Sequence, residues 1–404
     1  MPMKTLSQDA VRGLMIAVQG LHDDPPPPAT KKAVRSIIRQ IHMLQIDSIN
    51  VVARAPYFVL WSRLGDYDPL WLDELFAEGA LFEYWSHANC FLPIEDYPLY
   101  RAGGWIIDWR NPRKWLDENP EVAEFVLDHI RTNGGVRAAD FKRADGQKST
   151  WVNPKEEQIA LDYLVYVGEL MVRERHNFQR IYDLRERVFP ESDKLPSVSS
   201  DDANDQFVLY TIQALGVTKA EWIASYFRLK KAWVNAALKR LEKQDRLMTV
   251  AVEGWEKPGY IHPDNLKMVE AAAEGKIPHS KTTLLSPFDP LVWDERRTLD
   301  LFSFDSKIEF YFPASKRKYG YFSLPILYNN ALIGRLDPKA HRNEGIFEVK
   351  ALHLEPGVVL DDALVADVKS ALQACADWHK TPQVIIRDTT ESGLADVFRI
   401  DWRG

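Results

Sequence analysis

The chain is 404 residues long, 46% hydrophobic, 27% charged and 11% aromatic; this composition argues against a disordered polymer and supplies apolar side chains for three or four compact modules. Two cysteines, Cys90 and Cys375, lie far apart and belong to no CxxC pair, which argues against a disulfide framework or a cysteine-built zinc site and fits a reducing cytoplasm. A formal net charge of -7 argues against holding nucleic acid by overall attraction, so DNA contact requires basic residues gathered on one face.

No secretory leader is expected at the N-terminus, and no segment approaches the ~18 uninterrupted apolar residues of a membrane helix, so no membrane partner is expected. In chain order, helices are predicted near 7–20, 31–44 and 69–78, with the Pro25–Pro28 loop between the first two. The last of these opens an internal repeat. Leu72-x-x-Leu75-x-x-x-Gly79-x-Leu81-Phe82 has the register of Leu161-x-x-Leu164-x-x-x-Gly168-x-Leu170-Met171 and of Leu238-x-x-Leu241-x-x-x-Asp245-x-Leu247-Met248. Leucines three apart share a helical face, a left-handed residue four positions on ends the helix, and the apolar pair begins a strand. The copies are roughly 80 residues apart, the size of small domains rather than solenoid repeats.

The second copy predicts a helix at 121–132, a short one at Arg137–Phe141, a third at 154–167, and strands at 169–175 and 178–184. In the third, a helix near 205–215 ends at Gly216, Thr218 caps a short helix carrying Trp222, Ile223 and Tyr226, and a helix from Ala232 to Lys243 leads into a hairpin of Leu247–Val252 and Tyr260-Ile261. Three helices and a two-stranded wing describe a winged helix. Beyond Thr282 strands are predicted at Ile308–Phe312, Tyr321–Tyr328, Ala331–Leu336, Ile346–Leu354 and Val384–Ile386, with a two-residue turn at Asn329-Asn330 and a helix at 361–379. The expected architecture is α+β: winged-helix units at 1–118, 119–196 and 197–282, then a β-rich, barrel-like domain at 283–404.

Met43 to Asn50 alternates after a helix end. In extended chain Gln45 and Asp47 project to one side while Ile46 anchors into the core. A carboxylate beside a carboxamide suits hydrolysis through a sugar cation, the first as anion or base and the second orienting water. From spacing alone an ordinary Asx turn at Asp47, with Gln45 merely solvated, is the commoner arrangement. Arg54, Tyr57, Arg63, Tyr84, Trp85 and His87 surround this segment and are candidates for gripping phosphates and bases, or for a plain core with surface arginines. Further basic candidates are Arg173, Arg175, Asn177 and Arg180 in the second wing, Lys230 and Lys231 before the third unit's last helix, and Arg317, Arg335 and His341 between C-terminal strands. Solvated charge is the competing account of each. The chain has no P-loop, HExxH or dinucleotide fingerprint, and neither a metal site nor a cofactor is expected.

These segments resemble a known family. Ala17-Val18-Gln19-Gly20-Leu21, Leu44-Gln45-Ile46-Asp47-Ser48-Ile49-Asn50, Val52-Ala53-Arg54-Ala55-Pro56-Tyr57, Glu83-Tyr84-Trp85-Ser86-His87, Arg175-His176-Asn177-Phe178-Gln179-Arg180 and Leu285-Ser286-Pro287-Phe288-Asp289-Pro290 are similar, in order, to the YcaQ/AlkZ-type winged-helix DNA glycosylases. The resemblance implies tandem winged helices and a β-rich domain around duplex DNA, with Gln45 and Asp47 catalytic in a Gln-aliphatic-Asp motif. It further implies action on N7-alkylated guanine or interstrand crosslinks; a base tethered to both strands is hindered from rotating out of the stack, so a shallow groove-facing site is expected, and a monomer is the default expectation. A winged-helix transcription regulator and a damage-binding adaptor without turnover are the alternatives, and release of base from alkylated duplex separates them.

Overall fold

The computed structural model describes residues 5–22, 28–102, 111–141, 154–389 and 393–400, and most of the Pro25–Pro28 loop lies outside them. The fold mixes helices with four sheets. Among the described residues no helix is long and apolar enough to cross a membrane.

The N-terminal part contains helices Gln8–Val18, Lys31–Ile41, Ala55–Leu64 and Leu70–Ala77. Its sheet has the order β1-β3-β2, with β1 at Leu44–Gln45, β2 at Leu81–Trp85 and β3 at Asn89–Pro93. The helix Ala55–Leu64 has no counterpart in the predicted elements; Pro56 in its first turn, where no amide hydrogen bond is forfeited, marks its start. The next part has helices Pro120–Asn133 and Glu156–Val167 and the hairpin of β4, Leu170–His176, with β5, Gln179–Leu184. A single 3-10 turn at Ala138–Asp140 stands where a short helix was expected, with the Asp140 carboxylate accepting from the Arg137 amide.

Helices Ser200–Leu215, Ala220–Tyr226 and Lys231–Lys243 follow. Their sheet is ordered β6-β8-β7, with β6 at Val217–Thr218, β7 at Met248–Val250 and β8 at Gly259–Ile261. Thr218 does not cap a helix as expected. Its backbone pairs with Tyr260 in the sheet and its hydroxyl donates to the Lys219 carbonyl, while the helix starts at Lys219 without a side-chain cap. The repeated stop takes the left-handed conformation in all three copies, with φ of 73° at Gly79, 85° at Gly168 and 54° at Asp245.

The C-terminal sheet is open rather than barrel-like. Its order is β13-β12-β11-β10-β9, with β9 at Thr282–Leu284, β10 at Leu324–Tyr328, β11 at Ala331–His341, β12 at Ile346–Leu354 and β13 at Gln383–Thr389. β9 and β13 lie at opposite edges, so the ladder does not close. β12 and β13 run parallel, joined through the helix Asp362–Trp378. Asn329-Asn330 makes the expected turn, with Tyr328 opposite Ala331. Ile308–Phe312 is not a strand: the Glu309 carboxylate accepts from the Lys318 and Tyr319 amides and its carbonyl from Phe312, so local turn bonds replace a ladder.

The parts are stitched together across the chain. Leu6 exchanges backbone hydrogen bonds with Ala251 and Glu253, joining the N-terminus to the hairpin of β7 and β8. Tyr84 donates to the Tyr166 carbonyl at 2.8 Å, and Tyr226 to the Ile41 carbonyl at 2.8 Å. Both carbonyls lie in the last turn of a helix, where no intrahelical donor remains.

Candidate active site

The segment carrying the Gln-aliphatic-Asp motif is fixed from its first residue. The helix Lys31–Ile41 stops at His42, which adopts a left-handed conformation and stacks on Tyr210 with ring centroids 4.0 Å apart. Burial lowers the His42 pKa to about 3, so the ring packs as a neutral group. The chain then runs extended along β3, with Leu44 opposite Phe91, Gln45 opposite Cys90, and the Ile46 amide on the Asn89 carbonyl at 2.8 Å. Leu44 and Ile46 are buried while Gln45 and Asp47 are half-buried, the alternation that a strand imposes.

Asp47 ends the extended stretch. One carboxylate oxygen accepts from the Ile49 amide at 2.7 Å, the Asx geometry that also turns the chain. Burial raises its pKa above the ordinary aspartate value, opposed by that hydrogen bond. The Gln45 side-chain oxygen lies 2.7 Å from His87 Nε2. His87 occupies the turn between β2 and β3 and packs on Trp293, centroids 4.1 Å apart.

Elements from elsewhere in the chain close around the loop that follows. The β11–β12 hairpin reaches residues 50–52: the Ala340 amide donates to Val51, and Arg342 to the Asn50 side chain and the Val52 carbonyl. From the other direction the tip of the β4–β5 hairpin meets Arg54. Asn177 and Phe178 both have positive φ, 50° and 67°, closing the hairpin with the right-handed twist that such two-residue turns match. Phe178 is bulky for that conformation, and its ring lies 4.3 Å from the Arg54 guanidinium and 4.6 Å from that of Arg175. Tyr57 donates to Asp73 at 2.7 Å; burial, then that bond, pushes its pKa up.

The basic candidates divide sharply. Lys230, Lys231, Arg173 and Asn177 are exposed, and Lys230 lies over the Trp233 ring. Tyr57, Trp85, Arg54, Arg317 and His341 are partly exposed; Arg317 donates to the Phe312 carbonyl and His341 lies 2.9 Å from Glu348. Five others turn to protein partners: Arg63, Arg335 and His87 are buried, while Arg175 and Arg180 stay partly exposed. Arg63 is wholly buried against Asp289, and Arg335 is buried between the rings of Phe304 and Tyr319 with Glu355 at 2.7 Å. Arg175 and Arg180 converge on the buried Glu83; burial works to raise that carboxyl, but the two guanidiniums outweigh it and hold it below its ordinary value. His87 too is buried and faces Gln45 rather than solvent. Carboxylates satisfy the four guanidiniums, since a buried charge without a partner is costly. Trp293 and Phe178 were not singled out as site residues, and of the two only the segment around Phe178 carried a signal. Among the described residues no three His, Cys, Asp or Glu side chains converge as a metal-ligand set.

A half-buried carboxamide on β1 and a half-buried carboxylate two residues beyond it thus lie among helical elements, with exposed cations at a hairpin tip and a helix start. The family model described as "DNA glycosylase AlkZ-like" matches residues 38–378, and the chain belongs to that family. The fold is similar to that of the Streptomyces sahachiroi DNA glycosylase AlkZ, with a TM-score of 0.63 and 14% identity over 95% of this chain and 100% of that one.

Proposed function

We propose that this DNA glycosylase hydrolyses the N-glycosidic bond of N7-alkylated guanine in duplex DNA, and unhooks interstrand crosslinks made through that atom. Half-burial of Gln45 on β1 and of Asp47 two residues beyond it, with Ile46 buried between them, carries the reading. Alkylation at N7 leaves guanine cationic, so the bond from C1′ to N9 breaks with its electron pair passing to the base, which departs neutral. The sugar is left with oxocarbenium character. A water oxygen then bonds to C1′ and gives its proton to Asp47, while Gln45 holds that water; a half-buried carboxylate with a raised pKa suits an anion that becomes a base.

A crosslinked base is tethered to both strands and cannot rotate fully out of the stack, so the site must be met in the groove rather than in a base-sized pocket. The three helix-and-hairpin units are read as winged helices on the duplex. Lys230, Lys231, Arg173, Asn177, Arg54, Tyr57, Trp85, Arg317 and His341 are the residues assigned to DNA, and a monomer working in the cytoplasm completes the reading.

Incubation of the purified protein with duplex containing N7-methylguanine tests this directly. Free base and abasic sites are expected, with Asp47→Asn and Gln45→Ala binding the duplex but releasing base far more slowly. Full turnover by Asp47→Asn removes the mechanism, and absence of base release from every alkylated duplex removes the activity.

A further inference from the structure

A glutamine side chain on a strand has freely rotating torsions, and its carboxamide presents oxygen or nitrogen to a substrate with equal ease. Its task in the active site requires one face. The imidazole of His87 supplies the constraint. It is buried at the turn between β2 and β3, packs on Trp293 with centroids 4.1 Å apart, and brings Nε2 to 2.7 Å from Gln45 Oε1. A carboxamide oxygen only accepts, so this hydrogen bond requires a hydrogen on Nε2.

On the other side of the ring only the Cys90 thiol can serve that tautomer, because the Met43 thioether accepts and does not donate. Nδ1 faces two sulfurs, Met43 Sδ at 3.1 Å and Cys90 Sγ at 3.8 Å. Burial pushes the Cys90 thiol up, so it remains S–H and is a donor for a bare Nδ1. Tyr100 donates to Ser86 at 3.2 Å and Ser86 lies 3.5 Å from the same Met43 sulfur, which extends the chain of contacts into the core. Burial first, and the Arg228 charge second, lower the His87 pKa to about 3, so the ring stays neutral across the physiological range.

We propose that His87 is a positioning residue: packed on Trp293, with its hydrogen on Nε2 and Nδ1 toward the Cys90 thiol, it pins the Gln45 carboxamide so that the amino group turns away from the ring and meets water or substrate as a hydrogen-bond donor. This rests on the catalytic reading of Gln45 given above. It divides the work of the motif, Gln45 donating to the oxygen of the water that Asp47 deprotonates.

The test has an arm independent of activity. In the full chain carrying ¹⁵N-labelled histidine rings, the resonances lost in His87→Asn identify this residue. They are expected to show Nε2 protonated and Nδ1 bare, unchanged between about pH 5 and 8, and perturbed by Gln45→Met. A hydrogen on Nδ1, titration near the ordinary value of about 6.5, or indifference to Gln45→Met overturns the proposal. In single-turnover release of N7-methylguanine, His87→Leu is expected to slow the reaction on the order of 10- to 100-fold, as loss of an orienting partner does, with duplex binding retained. His87→Gln should recover much of the rate, and His87→Leu should add little to Gln45→Ala, because the two act in series. Wild-type speed in His87→Leu, or full additivity with Gln45→Ala, also overturns it. If the wild type releases no base, the glycosylase substrate reading fails, and the ring resonances alone decide whether His87 holds Gln45.

Discussion

Arg63 and Asp289, 226 positions apart, form one bidentate ion pair with neither side chain exposed to solvent, Nη1 to Oδ2 at 2.6 Å and Nη2 to Oδ1 at 3.1 Å. The guanidinium also donates from Nε to the Gln19 carbonyl, from Nη1 to the Val59 carbonyl and Ser62 hydroxyl and from Nη2 to the Gln19 side-chain oxygen, and Asp289 also accepts from the Leu291 amide. The Leu285–Pro290 segment, whose purpose the sequence left open, thus clamps the C-terminal sheet to the helix Ala55–Leu64 that follows the active-site loop. Removing one partner strands the other charge in the interior. Arg63→Met is expected to destabilise the protein by about 3–5 kcal/mol, and Arg63→Met with Asp289→Leu to recover much of that loss, because paired burial itself carries a large desolvation cost. Thermal midpoints of the two variants check this; equal midpoints for single and double variants contradict it.

Asp47 carries a testable sign. Its pKa is raised on folding by burial, so the native state holds the proton more tightly than the unfolded chain and stability falls as pH rises through the interval between the two values. Asp47→Asn removes that term and retains an acceptor for the Ile49 amide. The variant is expected to unfold at a slightly higher temperature than wild type at pH 7, and to lose the advantage once the pH drops below the ordinary aspartate range near 3.9. Paired melting curves at the two pH values give the answer, and a lower midpoint for the variant at pH 7 counts against it.

Glu83 behaves in the opposite sense. Its pKa is depressed by Arg180 and Arg175 in spite of burial, so the stability it contributes is present above the ordinary glutamate value and is lost as pH falls through the depressed one. Glu83→Gln leaves two guanidiniums short of their counter-charge and loosens the β4–β5 hairpin from β2. Hydrogen exchange across residues 170–184 is expected to accelerate in the variant at pH 7 and to approach wild-type behaviour in acid; unchanged protection at pH 7 refutes the assignment.

Lys231 is exposed and Arg335 is buried, which gives the proposed DNA contact of Lys231 a control. Each lysine neutralising a phosphate steepens the dependence of log affinity on log salt by about 0.9. Lys231→Gln is therefore expected to reduce that slope by about one unit on undamaged duplex. Arg335→Met, enclosed by Phe304, Tyr319 and Glu355, should leave it unchanged in protein that remains folded. Salt titrations by fluorescence anisotropy distinguish the two, and equal slopes for Lys231→Gln and wild type remove Lys231 from the interface.

Much of the local structure was legible in the residues themselves. The alternation from Leu44 to Asp47, the left-handed stops at Gly79, Gly168 and Asp245, and the Asn329-Asn330 turn are each decided by contacts within a few positions, and each appears as expected. Ile308–Phe312 misled because β-forming composition does not supply a partner strand, and Glu309 occupied the neighbouring amides instead. Thr218 misled because a good capping residue is also a good strand residue, and the neighbouring β8 decided between them.

The chain alone therefore determined the left-handed stops, the alternating burial from Leu44 to Asp47 and the Asn329-Asn330 turn, since periodicity and turn chemistry act over short separations. Only tertiary structure decided which cations face inward, that Glu83 meets Arg175 and Arg180 and Asp289 meets Arg63, and that His87 stands behind Gln45. A charge or a ring nitrogen has no local signature of its partner: desolvation makes pairing necessary, but any residue that folding brings within hydrogen-bond distance can satisfy it.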